Sequence, residues 1–92
     1  MPTIRIPTPL RRYTAGECQV LVIGKNVSDA LQDLVYQYPD LKDLMFMADG
    51  EIQPSINLFL AEYPIHRKRD LDKPLQENDK LIIVKSISGG CL

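Results

Sequence analysis

The segment KLIIVKSIS, residues 80–88, constrains the fold of this chain more than any other. Leu81 to Val84 are apolar at consecutive positions, so a strand here carries apolar side chains on both faces of its pleat. A strand of this kind usually lies in the centre of a sheet, buried on both faces. The sequence therefore predicts a sheet whose last strand along the chain is central.

One main helix is predicted in front of that strand, in VSDALQDLVYQY, from about Ser28 to Tyr38. Ser28 is a favourable N-cap, Val27 can pack onto the first turn, and Asp29 carries the negative charge that a helix N-terminus favours. Pro39 ends the helix, and a shorter helical stretch is predicted in DLKDLMF (40–46). Four residues recur at helical spacing and form one apolar face, namely Leu31, Leu34, Val35 and Tyr38.

The remaining strands are shorter. TIRI (3–6) and CQVLVIG (18–24) form a hairpin whose prolines lengthen the loop, and Cys18 is predicted to be a small buried apolar residue. INLFL (56–60) is a third strand, followed by a turn at 61–62 and another short strand. A polar loop follows, with one helical turn around 71–75. This order indicates an α+β fold in which one sheet wraps on one helix.

Composition excludes several functional classes. The chain has 92 residues and a formal net charge of −1, which predicts one domain with no global attraction to nucleic acid or an anionic membrane. No apolar run approaches the roughly 18 residues of a membrane span. The amino-terminal segment lacks the features of a signal peptide. We therefore expect a cytoplasmic protein with no nucleic-acid or membrane partner.

Catalytic and metal-binding constellations are missing from the sequence. His66 is the only histidine, and Cys18 and Cys91 form no Cys-x-x-Cys pair. No glycine-rich phosphate-binding loop is present. The paired acids Asp40 and Asp43, like other pairs on polar stretches, are typical of solvated surface. We expect no metal, no stably bound cofactor and no enzymatic activity.

A basic cluster, HRKR at 66–69, has two interpretations: a solvated loop, or a docking site for an acidic surface of a protein partner. Alternation along the last strand predicts the face involved. It places three residues in the core, namely Leu81, Ile83 and Ile87. The opposite face would present Val84, joined by Ile65, as an apolar docking patch rimmed by Arg67, Lys68 and Arg69.

The chain finishes with SISGGCL, residues 86–92. Glycine has the largest backbone entropy to lose, so this is not an end built for stability. We predict a globular domain over 1–87 and a flexible tail over 88–92, formed by Ser88, Gly89, Gly90, Cys91 and Leu92. About six extended residues span roughly 20 Å. Such an arm could enter the active site of another protein and deliver a main-chain carboxyl group.

The chain as a whole resembles the ubiquitin-like sulfur-carrier family, which includes the small subunit of molybdopterin synthase, the thiamine sulfur carrier and a carrier used in cysteine synthesis. The resemblance covers residues 1–90. It rests on VSDALQDL, on INLFL, on PLQENDKLIIVKSISGG and on the spacing between them. It implies a β-grasp fold, a mixed sheet of four to five strands wrapped on one main helix.

The resemblance also implies a mechanism. An activating enzyme uses ATP to adenylate the terminal glycine carboxylate, which maps onto Gly90. Sulfur then displaces AMP and leaves a thiocarboxylate, which a sulfur-accepting synthase uses. Most carriers stop at the second glycine, whereas this chain continues with Cys91 and Leu92. It therefore looks like a precursor whose extension is removed by a JAMM-type zinc metalloprotease.

Two other hypotheses stay open. The chain could be a ubiquitin-like modifier or interaction module that is conjugated to lysine through Gly90. Alternatively, Cys91 itself could carry sulfur as a persulfide without cleavage. The sequence leaves the sulfur acceptor open among pterin, thiazole, cysteine and siderophore routes.

Overall fold

A computed structural model of the protein describes residues 1–66 and 69–85. Along the chain, β1 (Thr3–Arg5) leads through a 3-10 helix (Thr8–Tyr13) to β2 (Gln19–Leu21) and α1 (Val27–Gln37). A second 3-10 helix (Pro39–Leu41) and α2 (Lys42–Met45) follow. The chain then forms β3 (Ile56–Leu60), β4 (Tyr63–Ile65) and β5 (Lys80–Lys85). No helix in the described ranges is long and apolar enough to cross a membrane.

The five strands form one mixed sheet in the order β2-β1-β5-β3-β4. The last strand, β5, pairs in parallel with β1 and antiparallel with β3, so the prediction of a central final strand is confirmed. The α+β prediction, a β-grasp sheet wrapped on one main helix, is also confirmed. Burial on both faces is not observed, because Leu81 and Ile83 are buried whereas Val84 is 41% exposed.

The amino-terminal end of α1 differs from the prediction. Asn26, and not Ser28, is the N-cap, and its Oδ1 accepts a hydrogen bond from the Asp29 N–H at 2.8 Å. The backbone N–H groups of Val27 and Ser28 donate instead to the Lys73 and Leu71 carbonyls. The carbonyls of the 71–73 loop thus accept hydrogen bonds from these two N–H groups. The N-cap therefore lies two residues earlier in the chain than the sequence predicts.

The core lies between α1 and one face of the sheet. Leu31 and Leu34 of α1 are 1% and 0% exposed, as predicted, whereas Val35 is half-buried at the margin. The sheet contributes inward side chains from β1, β2 and β5, namely Ile4, Val20, Leu81 and Ile83. Ile87 lies outside the described residues.

Two local predictions are wrong. Cys18 is exposed and not buried, because it precedes β2, beside the hairpin loop. The predicted helical turn around 71–75 is absent: turns cover 69–72, and Pro74 forms an isolated bridge with Asn26. Leu75 is nevertheless buried, which anchors this loop to the core.

Candidate docking face and carboxyl-terminal tail

The predicted tail and the structure meet at the end of β5. Ser88, Gly89, Gly90, Cys91 and Leu92 lie outside the described residues. The last described residue, Lys85, pairs with Ile56 at the start of β3. The predicted docking surface next to the tail is the open face of the sheet, on the side that α1 does not cover.

Strand registers define the centre of this open face. Ile82 of β5 pairs with Arg5 of β1 and with Phe59 of β3, and Phe59 pairs in turn with Pro64 of β4. One row of outward side chains therefore runs across four strands. Val84 lies on the same face, two residues along β5, opposite Asn57. We call the three apolar residues Phe59, Ile82 and Val84 the sheet-face patch.

Of the two apolar residues predicted for the docking patch, one is exposed and the other is buried. Val84 is 41% exposed, whereas Ile65 is only 7% exposed. Ile65 pairs with the buried Leu58 of β3 and shares its inward orientation. The prediction that Ile65 joins Val84 is therefore wrong, because the β3–β4 register turns Ile65 towards the core.

The predicted basic rim is described only in part. Arg67 and Lys68 lie outside the described residues, and Arg69 is exposed in a turn. The His66 N–H donates to Asp70 Oδ2 at 3.0 Å, and His66 Nδ1 accepts from the Arg69 N–H at 3.1 Å. The histidine thus organises the loop that carries the basic cluster.

Two other cations, which were not among the residues predicted from the sequence, lie on the open face. Arg5 pairs with Ile82, and Lys80 pairs with Thr3, so both side chains share the outward side of their strands. Both residues are exposed. The alternation of polar and apolar residues along TIRI could have predicted that Arg5 faces outward, because Ile4 and Ile6 on either side of it are buried.

The open face carries no acidic side chain among its outward strand residues in the described ranges. Alternation and burial place ten residues there: Thr3, Arg5, Gln19, Leu21, Asn57, Phe59, Pro64, Lys80, Ile82 and Val84. An apolar centre flanked by cations is complementary to an apolar partner surface that carries carboxylates. The arrangement suits protein docking, and the described residues contain no cluster of histidine, cysteine or acidic side chains that could hold a metal ion.

Comparison with solved structures extends over almost the whole chain. The structure superimposes on CysO of Amycolatopsis orientalis, solved in complex with BexX, with a TM-score of 0.85 and 24% identity; the match covers 98% of this chain and 100% of CysO. At that level of identity the match shows the fold alone. No protein-family model and no curated protein matches the chain by sequence.

Two archaeal structures are somewhat more similar in sequence. SAMP1 of Haloferax volcanii is 28% identical, with a TM-score of 0.79 and coverage of 97% of this chain and 98% of SAMP1. The small archaeal modifier protein 1 of Methanosarcina acetivorans is 27% identical, with a TM-score of 0.81. The match covers 97% of this chain and 95% of that protein. These neighbours are ubiquitin-like carriers and modifiers. The chain therefore shares the β-grasp fold of these ubiquitin-like carriers and modifiers over nearly its whole length and is similar to them.

Proposed function

We propose that the protein carries sulfur as a thiocarboxylate on the carboxyl group of Gly90. One observation carries the proposal: a β-grasp domain similar to CysO and SAMP1 is joined to a Gly-Gly sequence shortly after its central strand. Gly90 is five residues beyond Lys85, so the backbone could extend at most about 17 Å from the end of β5. A rigid domain would thus present a narrow reactive end to another protein.

The reactive group has to be a free carboxylate. A Gly90 carboxylate oxygen attacks the α-phosphate of ATP in the activating enzyme, and pyrophosphate leaves. Sulfide then attacks the acyl carbon of the resulting mixed anhydride, and AMP leaves with its electron pair. The product is a thiocarboxylate, which a sulfur-accepting synthase consumes. The protein contributes the acyl group and the docking surface, while the partner supplies the catalytic groups and holds the ATP.

The sheet-face patch is the proposed docking surface for the activating enzyme. Two of its three residues, Ile82 and Val84, lie on the strand that leads to the tail, and Arg5 and Lys80 flank its apolar centre. Apolar area at the centre supplies affinity, and peripheral charges mainly raise the association rate. Docking here would hold β5, and with it the start of the tail, against the enzyme.

Cys91 and Leu92 mask the carboxyl group, because Gly90 is held in a peptide bond in the full chain. We propose that a JAMM-type metalloprotease hydrolyses the Gly90–Cys91 bond before activation. Hydrolysis adds one water across this amide and releases the segment that begins with Cys91.

The test compares two chains, one of full length and one ending at Gly90, each incubated with ATP, sulfide and the activating enzyme. Intact-mass spectrometry should detect an adenylate and then one sulfur-for-oxygen exchange on the shorter chain only. Equal thiocarboxylation of both chains would contradict the masked-precursor step. No reaction of the shorter chain would contradict sulfur transfer at Gly90.

The similarity to SAMP1, a small archaeal modifier protein, favours a second candidate function. In that case a lysine amine, and not sulfide, attacks the activated Gly90 carbonyl and forms an isopeptide bond. Both functions share the adenylate, so the products distinguish them. A thiocarboxylate on the chain supports the carrier, and a covalent adduct with lysine of another protein supports the modifier.

A further inference from the structure

Charge is unevenly distributed along this nearly neutral chain. Residues 27–53 contain six acidic residues and one basic residue, Lys42, which is a formal net charge of −5. The rest of the chain therefore carries +4 of the total of −1. The acidic segment comprises α1, the second 3-10 helix, α2 and the turn after them. It forms the layer that covers the sheet on the side opposite the sheet-face patch.

The carboxylates of this layer face solvent. Asp29, Asp40, Asp43 and Asp49 are exposed. No basic side chain in the described part of the protein lies within 4.0 Å of any of them. Their negative potential is therefore not neutralised by ion pairs among these residues, and it is available to an incoming cation.

A groove lined by both polar and apolar residues runs through the same layer. A cleft of about 610 Å³ opens beside α1, with Val35, Phe46 and Met47 half-buried along its lining. A second, shallower depression continues from it and shares Gln32, Val35 and Lys42. This second part is lined by two exposed apolar residues, Ile23 at 69% and Tyr36 at 83%. We call the two parts together the helix groove.

The neighbouring edge of the sheet is partly occupied by side chains of α1. Gln37 Nε2 donates to the Leu21 carbonyl at 2.9 Å, and Asp33 Oδ2 accepts from the Ile23 N–H at 3.0 Å. These two bonds use backbone groups at the end of β2 through which an added strand would otherwise pair. We therefore expect a partner in the helix groove to bind mainly through its side chains.

We propose that the helix groove binds a basic polypeptide segment of a partner protein. Apolar side chains of that segment would contact Val35, Phe46 and Tyr36, and its lysines or arginines would lie near Asp43 and Asp49, two carboxylates that line the cleft. Four aspartates line the helix groove against two lysines, Lys25 and Lys42, so the balance of charge favours a basic segment over an acidic peptide or a nucleic acid. Because the groove is on the opposite side from the sheet-face patch, both surfaces can be occupied at once. This inference does not depend on chemistry at Gly90.

The probe is a fluorescein-labelled synthetic peptide of lysine and leucine, compared with the same peptide carrying glutamate in place of lysine. Fluorescence anisotropy with the full chain should show salt-sensitive binding of the basic peptide only. The double variant Asp43→Lys, Asp49→Lys should bind it at least about tenfold more weakly. The double variant Glu17→Lys, Glu62→Lys changes the net charge equally outside the groove and should change affinity less than about twofold.

Four further measurements make the test specific. Tyr36→Ser should weaken binding of the basic peptide several-fold, and Val84→Asp should leave that binding unchanged. Equal weakening by the two charge-reversal pairs would overturn the proposal, because it would reflect whole-molecule charge. A mass that rises with protein concentration and returns to the monomer in Asp43→Lys, Asp49→Lys would identify a second copy as the occupant and would also overturn it. Circular dichroism confirms that each variant is folded.

Discussion

Ile82 lies directly opposite Phe59 in the antiparallel ladder between β3 and β5, and both side chains face away from α1. On its other side Ile82 pairs with Arg5, so an apolar centre and a cation share one row of the sheet. This juxtaposition explains how a chain with a net charge of −1 can present an apolar and basic docking face. The acidic residues are concentrated in the helical layer on the other side.

Val84→Asp should weaken binding to the activating enzyme at least about tenfold, because docking would bury a carboxylate that has no partner. The fold should survive, since Val84 is 41% exposed. Isothermal calorimetry measures the affinity. Tyr36→Asp introduces the same charge on the helical side. This variant should bind the activating enzyme with the affinity of the unmodified chain. Equal weakening by both substitutions would count against the sheet-face patch.

Leu34→Ala should lower the free energy of unfolding by about 2 to 5 kcal/mol, because it leaves a cavity between α1 and the sheet. Leu34 is 0% exposed. Urea denaturation monitored by circular dichroism gives the value. Tyr36→Ala, on the 83% exposed side of the same helix, should cost less than about 0.5 kcal/mol. Similar losses for the two variants would contradict the orientation of α1.

Asn26→Ala should lower the free energy of unfolding by about 0.5 to 2 kcal/mol, because it removes the side-chain acceptor of the Asp29 N–H. Ser28→Ala is the matched control. Ser28 is inside α1 and its backbone N–H donates to the Leu71 carbonyl, so losing the hydroxyl should change stability less. Thermal unfolding ranks the two variants. The opposite ranking would restore Ser28 as the cap predicted from the sequence.

Gly90→Ala, in a chain ending at residue 90, should fold normally yet be adenylated slowly. The added Cβ would crowd a narrow active-site channel, whereas residue 90 follows the domain predicted over 1–87. Single-turnover assays with the activating enzyme measure the rate, and urea denaturation checks the fold. Reaction at the unmodified rate would show that the enzyme does not select glycine here.

Cys91→Ser separates acyl chemistry at Gly90 from a persulfide on Cys91. After treatment with the metalloprotease, this variant should gain the same sulfur-for-oxygen mass change as the unmodified chain, because residue 91 has been removed. Intact-mass spectrometry with and without a thiol reductant distinguishes the products, since a reductant removes persulfide sulfur. Loss of sulfur loading in Cys91→Ser would favour the persulfide hypothesis.

Features that depend on local periodicity were predicted well. The apolar run 81–84 identified the central strand, and the spacing of Leu31 and Leu34 identified the buried face of α1. In both cases the hydrophobic pattern repeats with the period of the element, so the information is contained in adjacent residues. The resemblance to the carrier family relied on the same elements and on the spacing between them.

Features that depend on pairing between distant segments were not predictable in this way. Ile65 points inward because β4 pairs with Leu58 of β3, and within a strand of three residues the sequence alone sets no register. The cap of α1 moved to Asn26 because the distant 71–73 loop accepts the next two N–H groups. The hydrogen bonds of the Leu21 carbonyl and the Ile23 N–H at the end of β2 likewise depend on Gln37 and Asp33 of α1.

The sequence by itself determined the class of the fold and the position of the central strand. The reason is that the buried face of a helix or strand requires apolar residues at the spacing of that element, and this spacing is visible in neighbouring residues. It also determined the Gly-Gly-Cys-Leu ending on which the proposed chemistry rests. Only the tertiary structure decided which side chains share a surface. The sheet registers brought Arg5 and Lys80 beside the apolar centre, and the packing of α1 over the sheet placed the acidic residues on the opposite side. Such juxtapositions arise from contacts between segments far apart in sequence, which no local pattern encodes.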